Sequence, residues 1–227
     1  MGDVLRSKVS GLLQNFEKKH GKIEFPHVMP PPASADASAA AVVSLNNAQI
    51  VAGVVLGLHG QPKEGVDAAK KLLAHFVDWN EVRVSRPSAL ASLLGRQSNA
   101  AARVALLQRF LEAFFLSQRS LNLDWLYTLK SHEAKRYLAD LEVFDREELA
   151  AVYLTGFKFP LFPPSEVLRD LSEQIGLLKP KTTPLQMAKR YETVLSDELM
   201  YGLYTFLYAV QKDPDQHGDI GKKVKKK

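Results

Sequence analysis

The side chains in this sequence that can do chemistry are few in kind and scattered in position. Six histidines occur, His20, His27, His59, His75, His132 and His217. No two stand four apart, the spacing that sets two metal ligands on one helix face. There is no cysteine. That removes a thiol nucleophile, a thiolate-held iron–sulfur cluster, a cysteine zinc site and a disulfide framework. No glycine-rich phosphate loop and no Gly-x-Ser-x-Gly elbow is present. The expectation is therefore no metal and no cofactor. Carboxylate pairs do occur, at Glu147-Glu148 and Asp197-Glu198, where the first turn of a helix favours negative charge. Three residues are candidates to line a pocket. His59 falls in Leu58-His59-Gly60, at the expected end of a helix, and Trp79 and Tyr153 offer broad aromatic rings. At helical spacing the same aromatics serve equally as core.

The elements that would position these residues are helices. Met1 to Lys19 carries Val4, Leu5, Val9, Leu12, Leu13 and Phe16 at helical spacing. Pro26 and Pro30-Pro31-Pro32 stop it, and the alanine- and serine-rich run 33–41 reads as a linker. From about Asn46 helical patterns continue almost to Val210. Ala48 to Leu58 is apolar nearly all round, which predicts a buried helix. Further helices are expected over Val66–Phe76, from Pro87 to Leu94-Gly95, over Ala100–Phe115 and over His132–Leu141. Asp145-Arg146-Glu147-Glu148 has the pattern of a capping box, and Pro163-Pro164-Ser165 opens another helix. Thr183-Pro184 starts a last long helix, Leu185 to Gln211. Glu81 to Val84 alternates like a strand, but four residues are a thin basis for one. The expected fold class is all-α, divided as 1–45 (helix and linker), 46–212 (two helical lobes with a cleft) and 213–227 (basic tail).

The chain has 227 residues and a net charge of +5. Five lysines in the last six residues account for all of that excess. The body is neutral, a poor electrostatic footprint for a dedicated nucleic-acid binder. No apolar run approaches the roughly 20 residues that cross a bilayer, and residues 1–16 lack the apolar block of a secretory signal. The expected location is the cytoplasm, with no membrane partner.

Order and spacing carry a resemblance. The segments Leu56 to His59, Val66 to Phe76, Phe76 to Ser85 and Leu93 to Ala101 follow one another like the early helices of endonuclease III-like proteins. Leu138 to Arg146 is then placed like the hairpin, and Pro163 to Leu178 like the segment that carries the catalytic aspartate. Over about 46–210 the chain resembles the helix-hairpin-helix (HhH-GPD) DNA glycosylase superfamily. The resemblance implies a two-lobed helical fold, DNA as partner and a base-excision role.

The departures concern the residues that perform that role. The family hairpin reads Leu-Pro-Gly-x-Gly, whose glycines let bare backbone N–H groups approach a phosphate. Here the slot is Leu141-Glu142-Val143-Phe144-Asp145, without glycine and with two acids. The family's lysine nucleophile, needed because an amine forms a Schiff base, falls at Glu147. Its aspartate falls at Pro164 or Ser165, and its cluster cysteines are absent. The expectation is a divergent, non-catalytic glycosylase-like protein, a pseudoenzyme that binds DNA weakly through Arg146, Lys158, Lys179 and Lys181, at the nucleoid when so bound. One alternative is an active glycosylase or abasic-site lyase with a relocated catalytic group. The other is a helical scaffold whose tyrosines Tyr191, Tyr201, Tyr204 and Tyr208 bury a protein partner.

Overall fold

A computed structural model describes residues 2–23, 47–58, 62–95 and 99–214. Its helices, in chain order, are α1 (Gly2–His20), α2 (Asn47–Gly57), α3 (Pro62–His75), α4 (Trp79–Val84), α5 (Pro87–Leu94) and α6 (Ala100–Gln118). A 3-10 turn over Asp124–Thr128 precedes α7 (Ser131–Asp140), α8 (Arg146–Phe157), α9 (Glu166–Gln174), α10 (Pro184–Val194) and α11 (Asp197–Lys212). No strand occurs among the described residues. His59, the alanine-rich linker and the lysine tail lie outside them. The chain forms two compact units. The described part of the central unit is residues 47–58, 62–95 and 99–145, and that of the terminal unit is residues 2–23 and 146–214.

The central unit is built round α2 and α6. Every side chain from Ile50 to Leu56 is buried, as an all-apolar helix requires. The α2–α3 crossing is backbone against backbone. A Cβ added at Gly65 would lie 1.8 Å from the Gly53 carbonyl oxygen and 2.4 Å from the Gly57 nitrogen, so only glycine fits. On α6, Val104, Leu107, Phe110, Leu111 and Phe114 form the buried stripe, against which α2, α4 and α5 pack. Asp78 caps α4 by accepting from the Glu81 N–H at 2.8 Å. The alternating run Glu81 to Val84 is thus helical, not a strand. An N-cap immediately before it sets the local backbone, and tertiary packing buries Val82.

The terminal unit gathers α1 and α8 to α11. Leu5, Val9 and Leu13 turn the stripe of α1 inward, and α1 packs on α10 and α11. A Cβ on Gly202 would meet the Leu13 side chain at 2.7 Å. The expected long helix over 185–211 is two helices. Leu195 is extended (φ −99°, ψ 149°), and the Ser196 hydroxyl accepts from the Leu199 N–H to start α11. A serine cap followed by Asp197-Glu198 starts a new helix without proline or glycine. Tyr191, Tyr201, Tyr204 and Tyr208 are all buried inside this unit, so they form its core and present no face to a partner.

Candidate functional site

Two loops correspond to the two places where the sequence locates chemistry. The first joins α7 to α8. The Leu141 and Glu142 N–H groups donate back to the Tyr137 and Ala139 carbonyls. They finish α7 and are not presented to an anion. Glu142 holds φ +52°, the left-handed region where glycine is unstrained. The turn therefore keeps a glycine-like backbone without the glycine. Two side chains of α6 hold it. The Arg109 guanidinium donates to the Val143 carbonyl at 2.8 Å, and the Phe144 ring lies 5.5 Å from that of Phe110. An open groove of about 580 Å³ runs beside it, lined by Arg83, Gln108, Arg109, Glu112, Leu116 and Glu142. Three of its charged side chains, Arg83, Arg109 and Glu112, are already engaged. Arg83 pairs with Glu112 and lies over the Phe115 ring, while Gln108 gathers the Val82, Arg83 and Ser85 carbonyls.

The second loop joins α8 to α9. It is an extended, proline-rich segment, tied by Phe159 N–H to Tyr153 O and by Ser165 N–H to Pro163 O. The Phe162 N–H donates to Glu192 Oε1 of α10 at 3.0 Å. The Phe162 ring is buried edge-on against Tyr191 at 4.9 Å. Ser165 is 1% exposed, and its hydroxyl accepts from the Leu168 N–H as the cap of α9. Between α8, this loop and α10 lies a pocket of about 250 Å³. Arg146, Tyr153, Pro164, Lys189 and Glu192 are among its walls. Ala150 and Ala188 face it from the two helices, and their short side chains leave the space open.

The pocket brings together three residues singled out from sequence: Arg146, Tyr153 and Pro164. The other cations do not line it. Lys158 follows the last turn of α8, about 18 Å along the helix from Arg146, with φ +54°. The Glu198 carboxylate is near enough to feel its charge. That carboxylate is held below its ordinary range first by its own backbone N–H, then by Asp197 and Ser196, with Lys158 contributing. Lys179 and Lys181 sit in the turn between α9 and α10, where the Lys179 carbonyl accepts from Thr182. Glu147 carries its charge toward the tyrosines of α11. Tyr204 is pushed well above the ordinary phenol value, first by burial, then by Tyr208 and by Glu147. Trp79 is 6% exposed in the core of the central unit. Among the described residues no three histidine, aspartate or glutamate side chains cluster to hold a metal. No helix among them is long and apolar enough to cross a membrane.

Lys189 and Glu192 escaped sequence reasoning. Leu185, Ala188, Lys189 and Glu192 stand at i, i+3, i+4 and i+7, one face of a helix. Treating 185–211 as a single helix hid that face among the buried positions of α11.

No family model matches the sequence. One curated relative, DEMETER-like protein 3 of Arabidopsis thaliana, is 25% identical over 130 residues. The match takes in 56% of this chain and 12% of the relative, so the chain spans about an eighth of that protein. Solved structures align over nearly the whole chain. Endonuclease III, in a trapped covalent intermediate with DNA, matches with a TM-score of 0.58 and 13% identity, covering 92% of this chain and 85% of its own. The H. pylori 3-methyladenine DNA glycosylase MagIII, bound to 1,N6-ethenoadenine, matches with a TM-score of 0.54 and 13% identity, covering 93% and 97%. The expected fold is borne out: the chain has the all-helical HhH-GPD glycosylase fold.

Proposed function

We propose that this chain is a non-catalytic, DNA-binding member of the base-excision type, working inside the cell on DNA that other enzymes process. One observation carries the reading. Where the fold's chemistry requires an amine and a carboxylate, the chain offers Glu147 and Pro164 or Ser165, and the Ser165 hydroxyl is engaged as a helix cap. A carboxylate cannot form a Schiff base, and neither proline nor serine supplies an anion. In this reading Arg146, Lys158, Lys179 and Lys181 contact phosphates, giving affinity by counterion release without base readout.

The test combines binding and trapping. Full-length protein should bind intact and abasic duplexes with similar affinity and a clear salt dependence. Replacing the four cations by glutamine should abolish that binding. Borohydride should trap no covalent complex. The double variant Glu147→Lys, Ser165→Asp restores both groups, and aspartate retains the cap of α9. It should yield a trapped complex on abasic DNA. A complex trapped by the unaltered protein, or no duplex binding at low salt, refutes the reading.

A second reading, an active glycosylase with a relocated group, is favoured by Glu192. It places a carboxylate in the same pocket as Pro164, anchored on the loop of the missing aspartate. Base release from a panel of damaged duplexes, lost in Glu192→Gln, would establish it; no release would remove it.

A further inference from the structure

The pocket between α8 and α10 has an apolar floor that the DNA-binding reading, which takes only Arg146 from its wall, does not use. Its floor is aliphatic, with Leu149, Ala150, Leu161 and Ala188. At its edge stands Leu185, 37% exposed. Two cations, Arg146 and Lys189, share the wall, and neither side chain is engaged by an acid among the described residues. The acid in the wall, Glu192, is held by the Phe162 N–H.

We propose that this pocket is a docking site for a peptide segment of another protein, one bulky apolar side chain flanked by carboxylates. The apolar residue enters between Ala150 and Ala188, where the small side chains leave about 250 Å³. Its acidic neighbours meet Arg146 and Lys189. Pairing of this sort, an anchor in an apolar cleft with charged groups setting orientation, is how short motifs are recognised on helix pairs. Two features favour a peptide over a nucleic-acid strand. The pocket is mostly aliphatic, and its two rings, Tyr153 and Phe162, are 6% and 1% exposed, too covered to serve as stacking platforms. And Glu192 stands in the wall, so the group that enters between the alanines is uncharged, with the flanking carboxylates taken by Arg146 and Lys189.

The test uses the full chain, with short fluorescent peptides in which leucine or phenylalanine alternates with aspartate or glutamate. Control peptides carry asparagine and glutamine for the acids. Acidic peptides should bind, should shift the methyl resonances of Ala150 and Ala188, and should bind at least about tenfold more tightly than the neutral controls. Ala188→Phe fills the pocket and should abolish binding. Lys189→Gln, on an exposed side chain that folding does not need, should weaken peptide binding about tenfold and leave duplex DNA affinity unchanged. Lys158→Gln should do the reverse. The proposal falls if acidic and neutral peptides bind alike or not at all. It falls equally if Lys189→Gln weakens duplex binding as much as peptide binding, since the pocket then serves DNA. Failure of the duplex to bind the unaltered protein would refute the DNA-binding reading and leave the peptide result standing.

Discussion

The loop before α8 and the loop before α9 have the same task, to deliver the chain to the start of a helix, and they do it by opposite means. The first is a tight turn that bends through a left-handed Glu142 and is held from outside by Arg109 and Phe110 of α6. The second is extended and stiffened by its own prolines, with Phe162 driven into the core and its N–H taken by Glu192. In the first, a left-handed residue makes the bend and the support combines one guanidinium hydrogen bond with one ring contact. In the second, burial does the work. The difference teaches that the path of a loop can be fixed by supports that lie on other helices, whatever residues the loop itself carries.

The sharpest way to break the comparison is at the buried anchor. Phe162→Ala should cost about 3–5 kcal/mol, the range for deleting an aromatic side chain from a core, seen as a lowered denaturant midpoint. Alkali probes the same anchor through its neighbour. Burial holds the Tyr191 phenol above its ordinary value of 10 and pushes Tyr201 up to about 12. The unfolded chain therefore loses these protons first, and the stability they confer is full below pH 10 and declines as pH rises toward 12. Denaturant midpoints measured at fixed pH should show that decline across the window. Tyr191→Phe and Tyr201→Phe together should remove the part of the decline due to these two phenols.

Next in size, Glu192→Leu should cost about 1–3 kcal/mol by stranding the Phe162 N–H. Glu192→Gln keeps an acceptor oxygen and should cost less; equal losses would mean that the hydrogen bond does not support the loop. On the other side, Arg109→Leu should cost about 1 kcal/mol, measured by chemical denaturation. The smallest effect has the opposite sign. Glu142→Gly should stabilise by up to about 1 kcal/mol, because relief of the left-handed strain outweighs the added freedom of the unfolded chain. A loss on that substitution would show that the turn is not strained and that the two loops differ less than their backbones suggest.

Much of this was legible in the residues. Proline and glycine mark the ends of α5 at Pro87 and Gly95, with φ +75° at the glycine. Ser165 and Thr183 cap α9 and α10 where the sequence places helix starts. The apolar run of α2 is buried as read. These features are local, and local chemistry sets them. What failed to show has non-local causes. The break at Leu195-Ser196 carries no proline or glycine and sits inside an unbroken apolar rhythm. The requirement at Gly65 comes from Gly53 and Gly57, on the preceding helix. The pocket exists because two alanines on different helices meet, and neither alanine is informative alone.

The contact of Leu13 with Gly202 has a practical consequence. Helix α11 has a notch at that glycine, and the N-terminal helix fills it, with Phe16 set edge-on against Phe206 at 5.5 Å. A shortened form that begins after residue 23 would bare the whole seam to water. Such a form should self-associate through the uncovered strip, so the first helix has to be retained in any fragment meant to keep that strip covered.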